Sequence, residues 1–166
     1  MVYFYILYTC GIILTKPVER YRKAKPEEVF LASDHAGFRL KEEIKKFLIK
    51  KRKKVLDLGT KNTSSVDYPD YAHLLSKKMK KSRNKFGILI CGSGIGMCMA
   101  ANKHKNIRAA LCYNIKSAKL SRQHNNANVM TIGARLIKKN IVSKCVSAFL
   151  TTNFNGGRHL RRVKKI

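Results

Sequence analysis

A cysteine followed by a glycine-rich stretch, Cys91 to Gly96, is the segment of this chain best suited to chemistry. It reads CGSGIG and follows an apolar run from Phe86 to Ile90, which predicts a loop between a buried strand and a helix. Glycines let backbone amides approach a ligand, and a helix N-terminus attracts negative charge. Several amides directed at one oxygen can stabilise an oxyanion. The spacing is not that of a P-loop, and no acidic residue follows where a dinucleotide site requires one.

Cys91 lies where the strand ends and this loop begins. A helix N-terminus and a strongly basic protein both favour the thiolate over the thiol, and a thiolate can act as a base. The alternative is a buried apolar cysteine, which is the usual state of a free cysteine. The residues alone leave both interpretations open. Cys98, Cys112 and Cys145 fall within helix or strand patterns and are predicted to be in or near the core.

Polar residues cluster at three further places. Ser33-Asp34-His35 follows the first strand, where Asp34 either faces a pocket or caps the next helix. His124 lies in the polar run 121–128, either as a site residue or as an ordinary loop histidine. The segment 156–162 places arginines after two glycines, and guanidinium groups bind phosphate through paired hydrogen bonds. Its alternative is a disordered basic end.

The chain is very basic, with a formal net charge of +27 from 36 Lys and Arg against 9 Asp and Glu, and no carboxylate side chain follows Asp70. Such a charge favours anionic partners, including nucleic acid. The alternative is a solvated coat of lysines. The lysines are spread along the chain without the interleaved aromatic residues of single-strand binders, so we expect no specific nucleic-acid partner.

The five cysteines form no C-x-x-C pair, which argues against a disulfide framework or a zinc site and fits a reducing compartment. We therefore expect a cytoplasmic protein. The apolar stretch from Val2 to Leu14 is too short to span a bilayer, so no membrane association is expected. Residues 1–26 are predicted to be an N-terminal extension of open role. A targeting leader within 1–25, an extra strand and an incorrect gene start all stay possible.

Residues 27–166 carry the elements that must position these groups. Short apolar runs alternate with amphipathic ones, which predicts strand–helix units in a parallel sheet covered on both faces. We expect one α/β domain with a doubly wound, parallel, five-stranded sheet in a flavodoxin-like or Rossmann-like three-layer sandwich. Its ligands would bind beyond the carboxyl ends of the strands, including the end at Gly133-Ala134-Arg135. The segment 155–166 is predicted to be a basic tail that binds phosphate.

Five segments together resemble those of the type B ribose-5-phosphate isomerases, within the superfamily that includes the galactose-6-phosphate isomerase subunits. The resemblance runs from about Val29 to Val163, and its motifs occur in the family's order. The matching segments are SDHAGF from Ser33, DYP from Asp67, ICGSGIGM from Ile90 with AANK from Ala100, SRQHN from Ser121, and GGRH from Gly156.

The resemblance implies a metal-free, cofactor-free aldose–ketose isomerase of the pentose phosphate pathway that interconverts ribose 5-phosphate and ribulose 5-phosphate through an enediolate. It implies a homodimer or homotetramer whose sites are shared between subunits. Cys91 would be the base. Some relatives use a Glu further along the loop instead, where this chain has Met97. Ser93 would replace a threonine hydroxyl, and His124 and Asp34 would assist ring opening.

The other matching positions imply contacts with the substrate. The phosphate would be held by His35, Arg158 and Arg162, with His159 nearby, and Asn125 would contact sugar hydroxyls. The full set of implied substrate-binding residues is His35, Tyr68, Gly92, Gly94, Ile95, Gly96, Asn125, Arg158, His159 and Arg162. Three alternatives stay open: a six-carbon substrate such as galactose or allose 6-phosphate, a basic nucleic-acid-binding protein, and a silent subunit of an active paralogue.

Overall fold

A computed structural model describes residues 28–80 and 85–166, and the extension 1–26 with its apolar stretch lies outside the described residues. The strands are β1 (Glu28–Ser33), β2 (Lys54–Asp57), β3 (Phe86–Cys91), β4 (Ala109–Leu111) and β5 (Val129–Gly133). The helices are α1 (Phe38–Lys50), α2 (Tyr68–Lys80), α3 (Ile95–Ala101), α4 (Ile115–Asn125), α5 (Lys139–Thr151) and α6 (Arg158–Val163). Within the described ranges, no helix has the length and apolar character needed to cross a bilayer.

The five strands form one parallel sheet in the order β2-β1-β3-β5-β4, which confirms the predicted doubly wound α/β class. The order differs from the flavodoxin order in its last two strands, because β5 lies beside β3 and β4 forms the edge. All five residues of β5 are buried, whereas the three residues of β4 are only half-buried. The more completely buried strand thus takes the interior position.

Helices cover both faces of the sheet and give it three layers. Alternate residues of β1 show the division, because Val29 and Leu31 pack in one apolar core and Phe30 and Ala32 in the other. The first core includes residues of α1, α4 and α5, and the second includes residues of α2 and α3. Each fully buried large apolar side chain stabilises the fold by about 1.5–3 kcal/mol before conformational entropy is counted.

The two ends of the sheet present different segments. At the carboxyl end, Cys91 of β3 pairs with Gly133 of β5. At the amino end, the N–H of Asn128 donates to the carbonyl of Arg108, the residue before β4. Since β5 has five residues and a strand rises about 3.3 Å per residue, these ends are about 13 Å apart.

The end of the chain holds a helix that the sequence analysis did not predict. Gly156 and Gly157 both have positive φ angles, of 66° and 52°, and helix α6 begins directly after them. None of its side chains is buried. The segment 155–166 was predicted only as a basic tail, since it carries no apolar stripe that would indicate a helix.

Candidate active site

The Cys91 thiol lies at the start of an amide-lined loop. Cys91 is the last residue of β3 and is 4% exposed, and its Sγ accepts a hydrogen bond of 3.0 Å from the Gly94 N–H. Ser93 Oγ accepts another, at 3.3 Å, from the Ile95 N–H. The loop therefore directs backbone donors at both the sulfur and the neighbouring hydroxyl, as a site that holds negative charge requires.

Glycines allow this loop to lie directly on the end of the neighbouring strand. Gly94 has a φ of 78°, and a Cβ there would lie 2.6 Å from Leu111 Cδ1 and 2.7 Å from the Gly133 nitrogen. A Cβ on Gly133 would in turn meet the carbonyl oxygen of Ser93. A larger residue at either position would move the loop away from β5, and with it the amides around Cys91.

Asp34 and His35 follow β1 at the same end of the sheet, and one side-chain atom of each already makes a hydrogen bond within the chain. Asp34 is buried, and its Oδ1 accepts a hydrogen bond of 2.8 Å from the Gly37 N–H. The Val66 N–H donates to His35 Nδ1 at 3.2 Å. The Asp34 carboxylate thus fixes the turn that precedes α1 and presents His35, while the N-cap of the helix itself is Gly37.

Two more side chains border the loop. The ring of Tyr68 packs over Gly96, where an added Cβ would lie 2.7 Å from the ring carbons, and Tyr68 is 40% exposed. Arg135 is exposed, with its guanidinium carbon 3.4 Å from where a Cβ of Gly92 would be. The predicted binding residues did not include Arg135. Its place two residues beyond the carboxyl end of β5 was the signal that could have identified it.

A second cluster of predicted site residues forms where α4 ends. The rings of His124 and His159 stack in parallel, with centroids 4.2 Å apart and an interplanar angle of 4°. Arg158 and Arg162 are exposed on the helix that carries His159, and Asn125 is exposed beside His124. Desolvation lowers the pKa of His159, and His124, Arg158 and Arg162 lower it further. An anion bound here would relieve this crowding of cationic groups.

Within one chain the two clusters lie at opposite ends of the sheet. Arg108, which precedes β4, donates from Nε to the carbonyls of Asn125 and Asn126 at 3.1 and 3.0 Å. His124 is therefore at the amino end of the strands, whereas Cys91 is at the carboxyl end, and the length of β5, about 13 Å, separates these two ends. The predicted site residues thus form two separate groups, which do not contact each other within a single chain.

The surface around each group contains apolar side chains. At the carboxyl end, Ile95, Tyr113 and Leu136 follow three different strands and are 50%, 62% and 65% exposed. At the amino end, Asn125 lines a groove of about 760 Å³ to which Ile107 and Val163 also contribute. Among the described residues, no group of three or more His, Cys, Asp or Glu side chains could hold a metal ion.

The fold is that of the doubly wound α/β proteins, in which ligands bind at the carboxyl end of the sheet. A sequence profile described as Ribose/Galactose Isomerase matches residues 29–166. The chain therefore belongs to the ribose/galactose isomerase family and is an isomerase.

Individual relatives agree with this assignment. The chain is 49% identical over 140 residues to the probable ribose-5-phosphate isomerase B of Mycoplasma genitalium, covering 83% of this chain and 92% of the relative. It is 40% identical over 140 residues to the ribose-5-phosphate isomerase B of Escherichia coli, covering 84% and 94%. A crystal structure of the Mycoplasma genitalium enzyme with bound ribulose-5-phosphate has a TM-score of 0.80 at 47% identity, covering 83% of this chain and 92% of that one.

Proposed function

We propose that this protein interconverts ribose 5-phosphate and ribulose 5-phosphate, with Cys91 as the base. The observation that carries the proposal is the Cys91 sulfur at the start of the amide-lined loop, where it accepts the Gly94 N–H. The names of the relatives and the ribulose-5-phosphate bound to one of them support this choice of substrate.

The reaction needs a base and a stabilised oxyanion, since a hydrogen on carbon beside a carbonyl is only weakly acidic. The Cys91 thiolate would take the proton from C2 of the open-chain aldose, and the bonding electrons would pass into the C1 carbonyl to form an enediolate. The C2 hydroxyl then gives its proton to the C1 oxygen, and return of the carbon-bound proton from Cys91 to C1 leaves the carbonyl at C2 and gives the ketose. The Ser93 hydroxyl and the amides of Gly92 to Gly96 would stabilise the negative oxygen.

Ring opening precedes this step, because ribose 5-phosphate is mainly a closed ring in water. His124 is the proposed acid–base group, since it is half-buried beside the cationic helix α6. Asn125 would bind sugar hydroxyls, and Tyr68 would border the sugar through its contact with Gly96. Asp34 would assist indirectly by fixing the turn before α1.

The phosphate would act as a binding handle distant from the reacting carbons. A phosphate monoester carries nearly two negative charges, which guanidinium groups bind through paired hydrogen bonds. Arg158 and Arg162 supply guanidinium groups from α6, with His159 beside them, while Arg135 supplies a guanidinium group and His35 an imidazole ring from the loop side. Binding energy from these contacts would hold C2 and C1 over the Cys91 sulfur.

A second copy of the chain would complete the site. The His124 cluster and the Cys91 loop lie at opposite ends of β5, which is about 13 Å long, so we propose that each loop receives His124, Arg158 and Arg162 from another subunit. The exposed Ile95, Tyr113 and Leu136 around the loop are suited to burial in such an interface. We propose a homodimer with two equivalent shared sites, or a homotetramer built from two such dimers.

The decisive experiment compares Cys91→Ala with Cys98→Ala in a ribose 5-phosphate isomerisation assay. Loss of the base should lower kcat by about 10³-fold or more, while ribose 5-phosphate still binds in calorimetry. Cys98 is half-buried in α3 and outside the loop, so its variant should keep its activity. Near-normal turnover in Cys91→Ala would exclude Cys91 as the base. Turnover of allose or galactose 6-phosphate in preference to the pentose would contradict the substrate assignment.

A further inference from the structure

We propose that Arg122 is a positioning residue. It holds two segments in the geometry that ring opening requires: the turn after His124 and the segment that connects α5 to α6. The inference rests on the proposed function and deepens it. It comes from a guanidinium group that is 2% exposed in a region of sequence that contains no carboxylate side chain.

The Arg122 guanidinium joins two segments that carry proposed site residues. Its Nη1 donates to Asn126 Oδ1 at 3.1 Å and to the carbonyl oxygen of Ala127, both in the turn that follows His124. Its Nε donates at 3.2 Å to the carbonyl of Thr152, the residue that ends α5. From Thr152 the chain runs to α6, which carries His159. One side chain thus ties both halves of the stacked His124–His159 pair.

The surroundings of Arg122 fix its orientation. The guanidinium carbon lies 4.4 Å from the ring centroid of Phe86 and 5.8 Å from that of Phe149. Burial and, to a smaller extent, the charge of Arg108 together lower the pKa of Arg122 to about 10. The group is still protonated at neutral pH, so all its hydrogen-bond donors are retained. A buried charge that serves only neutral oxygens is costly, which argues for a role in geometry.

Arg108 holds the same turn from the other side. Its Nε donates to the carbonyls of Asn125 and Asn126 at 3.1 and 3.0 Å. Asn126 itself has a φ of 47° and accepts from Arg122 through its side chain. The backbone after His124 is therefore fixed by two guanidinium groups on different elements, and the side chain of Asn126 connects it to Arg122.

Ribulose 5-phosphate offers a test that separates ring opening of the sugar from the proton transfer at Cys91. Its C5 oxygen is esterified, so this ketose has no hydroxyl that can close a five-membered ring. Exchange of its C1 hydrogen with D₂O requires only removal and return of the proton at Cys91. Net isomerisation that starts from ribose 5-phosphate, which is mainly a closed ring in water, also requires ring opening. The ratio of exchange to net isomerisation, measured by NMR, therefore reports on the group that handles the ring.

Asn126→Gly and Asn126→Asp form a matched pair for this measurement. Glycine accepts the positive φ but removes the Oδ1 that Arg122 binds, whereas aspartate keeps an oxygen there. We expect Asn126→Gly to raise the exchange-to-isomerisation ratio by about 10-fold, because a misplaced acid–base group loses rate steeply. Asn126→Asp should keep the wild-type ratio. Arg122→Lys, which keeps the charge but loses the planar fork, should behave like Asn126→Gly.

A control and two contrary outcomes make the test decisive. Lys119→Gln, at an exposed position of α4, should leave the ratio and both rates unchanged. An equal fall of exchange and isomerisation in Asn126→Gly and Arg122→Lys would assign Arg122 a merely structural role and overturn the proposal. Absence of both exchange and isomerisation in the wild-type protein would instead reject the proposed function, and the positioning role with it.

Discussion

At the scale of single residues, the loop at Cys91 restricts which amino acids can occupy its neighbours. Gly94 combines a φ of 78° with close contacts to Leu111 and Gly133, whereas Gly156 has a φ of 66° and open space around it. The two glycines therefore separate two costs of adding a methyl group. One is the strain of a left-handed backbone, which both share, and the other is a collision, which only Gly94 has.

Gly94→Ala should lower the free energy of unfolding by about 2–5 kcal/mol, the sum of about 1–2 for the backbone and about 1–3 for overpacking. Gly156→Ala should cost only about 1–2 kcal/mol. Urea denaturation at one protein concentration would measure both. Activity should fall in Gly94→Ala alone, since only there do the amides around Cys91 move. Equal losses of stability in the two variants would show that the close contacts at Gly94 add nothing to the cost of the methyl group, and would contradict this account.

At the scale of elements, α1 is joined to the end of β2 by a buried cation. Lys41 is 1% exposed, and its Nζ donates to both oxygens of Asp57 at 2.9 and 2.7 Å and to Glu42 Oε1 at 2.7 Å. Lys45 donates to Asp57 at 2.7 Å. Burial alone would raise the pKa of Asp57, but the hydrogen bonds from both lysines hold that pKa below its usual value.

Asp57→Asn should destabilise the fold by about 3 kcal/mol at pH 7, because it leaves the buried Lys41 with one carboxylate partner instead of two. A carboxylate whose pKa is lowered by folding stabilises the protein above its unfolded pKa of 3.8. That contribution is lost as the pH falls through the folded pKa. The difference between wild type and variant, measured by urea denaturation, should therefore shrink below pH 3.8. Lys45→Gln, at a half-exposed position, should cost under about 1 kcal/mol.

A difference between wild type and Asp57→Asn that stayed constant down to the acid transition would contradict this account. An equal loss of unfolding free energy in Lys45→Gln and Asp57→Asn would also contradict it, since the buried amine of Lys41 would then not be the reason for the loss of stability.

The elements were predictable from the sequence where burial makes a clear pattern. The fully buried β3 and β5 show as continuous apolar runs, and the amphipathic α1 and α2 show helical spacing. The position of β5 between β3 and β4 was not predictable, because strand order depends on contacts between distant segments. Helix α6 was missed because none of its side chains is buried.

The site was predictable to a similar extent. The residues of the Cys91 loop, with Asp34 and His35, follow strand ends, which is where a doubly wound sheet binds ligands, whereas His124 and Arg158 lie on helices and their roles were implied only by the resemblance. The competing roles of Asp34 could be weighed only when the structure placed its Oδ1 on the Gly37 N–H. Arg122 could not be recognised from the sequence, since a polar run gives no sign that one arginine in it is buried between two aromatic rings.

At the scale of the whole molecule, the opposite placement of the Cys91 loop and the His124 cluster predicts that inactive variants complement each other. Cys91→Ala removes the proposed base, and Arg158→Ala weakens the binding of the substrate phosphate by α6. In a mixed dimer, one site contains both substitutions and the other contains neither. Two variants that are nearly inactive alone should therefore regain activity when their subunits are exchanged.

Equal amounts of the two variants, unfolded and refolded together, should form mixed dimers as half of the population. Each mixed dimer has one intact site of two, so the recovered rate should be about a quarter of the wild-type rate per chain. Each variant refolded alone provides the baseline, and a mixture of the two without unfolding controls for simple addition. If every site were built within one chain, no arrangement of subunits could unite an intact Cys91 with an intact Arg158, and refolding together would recover nothing.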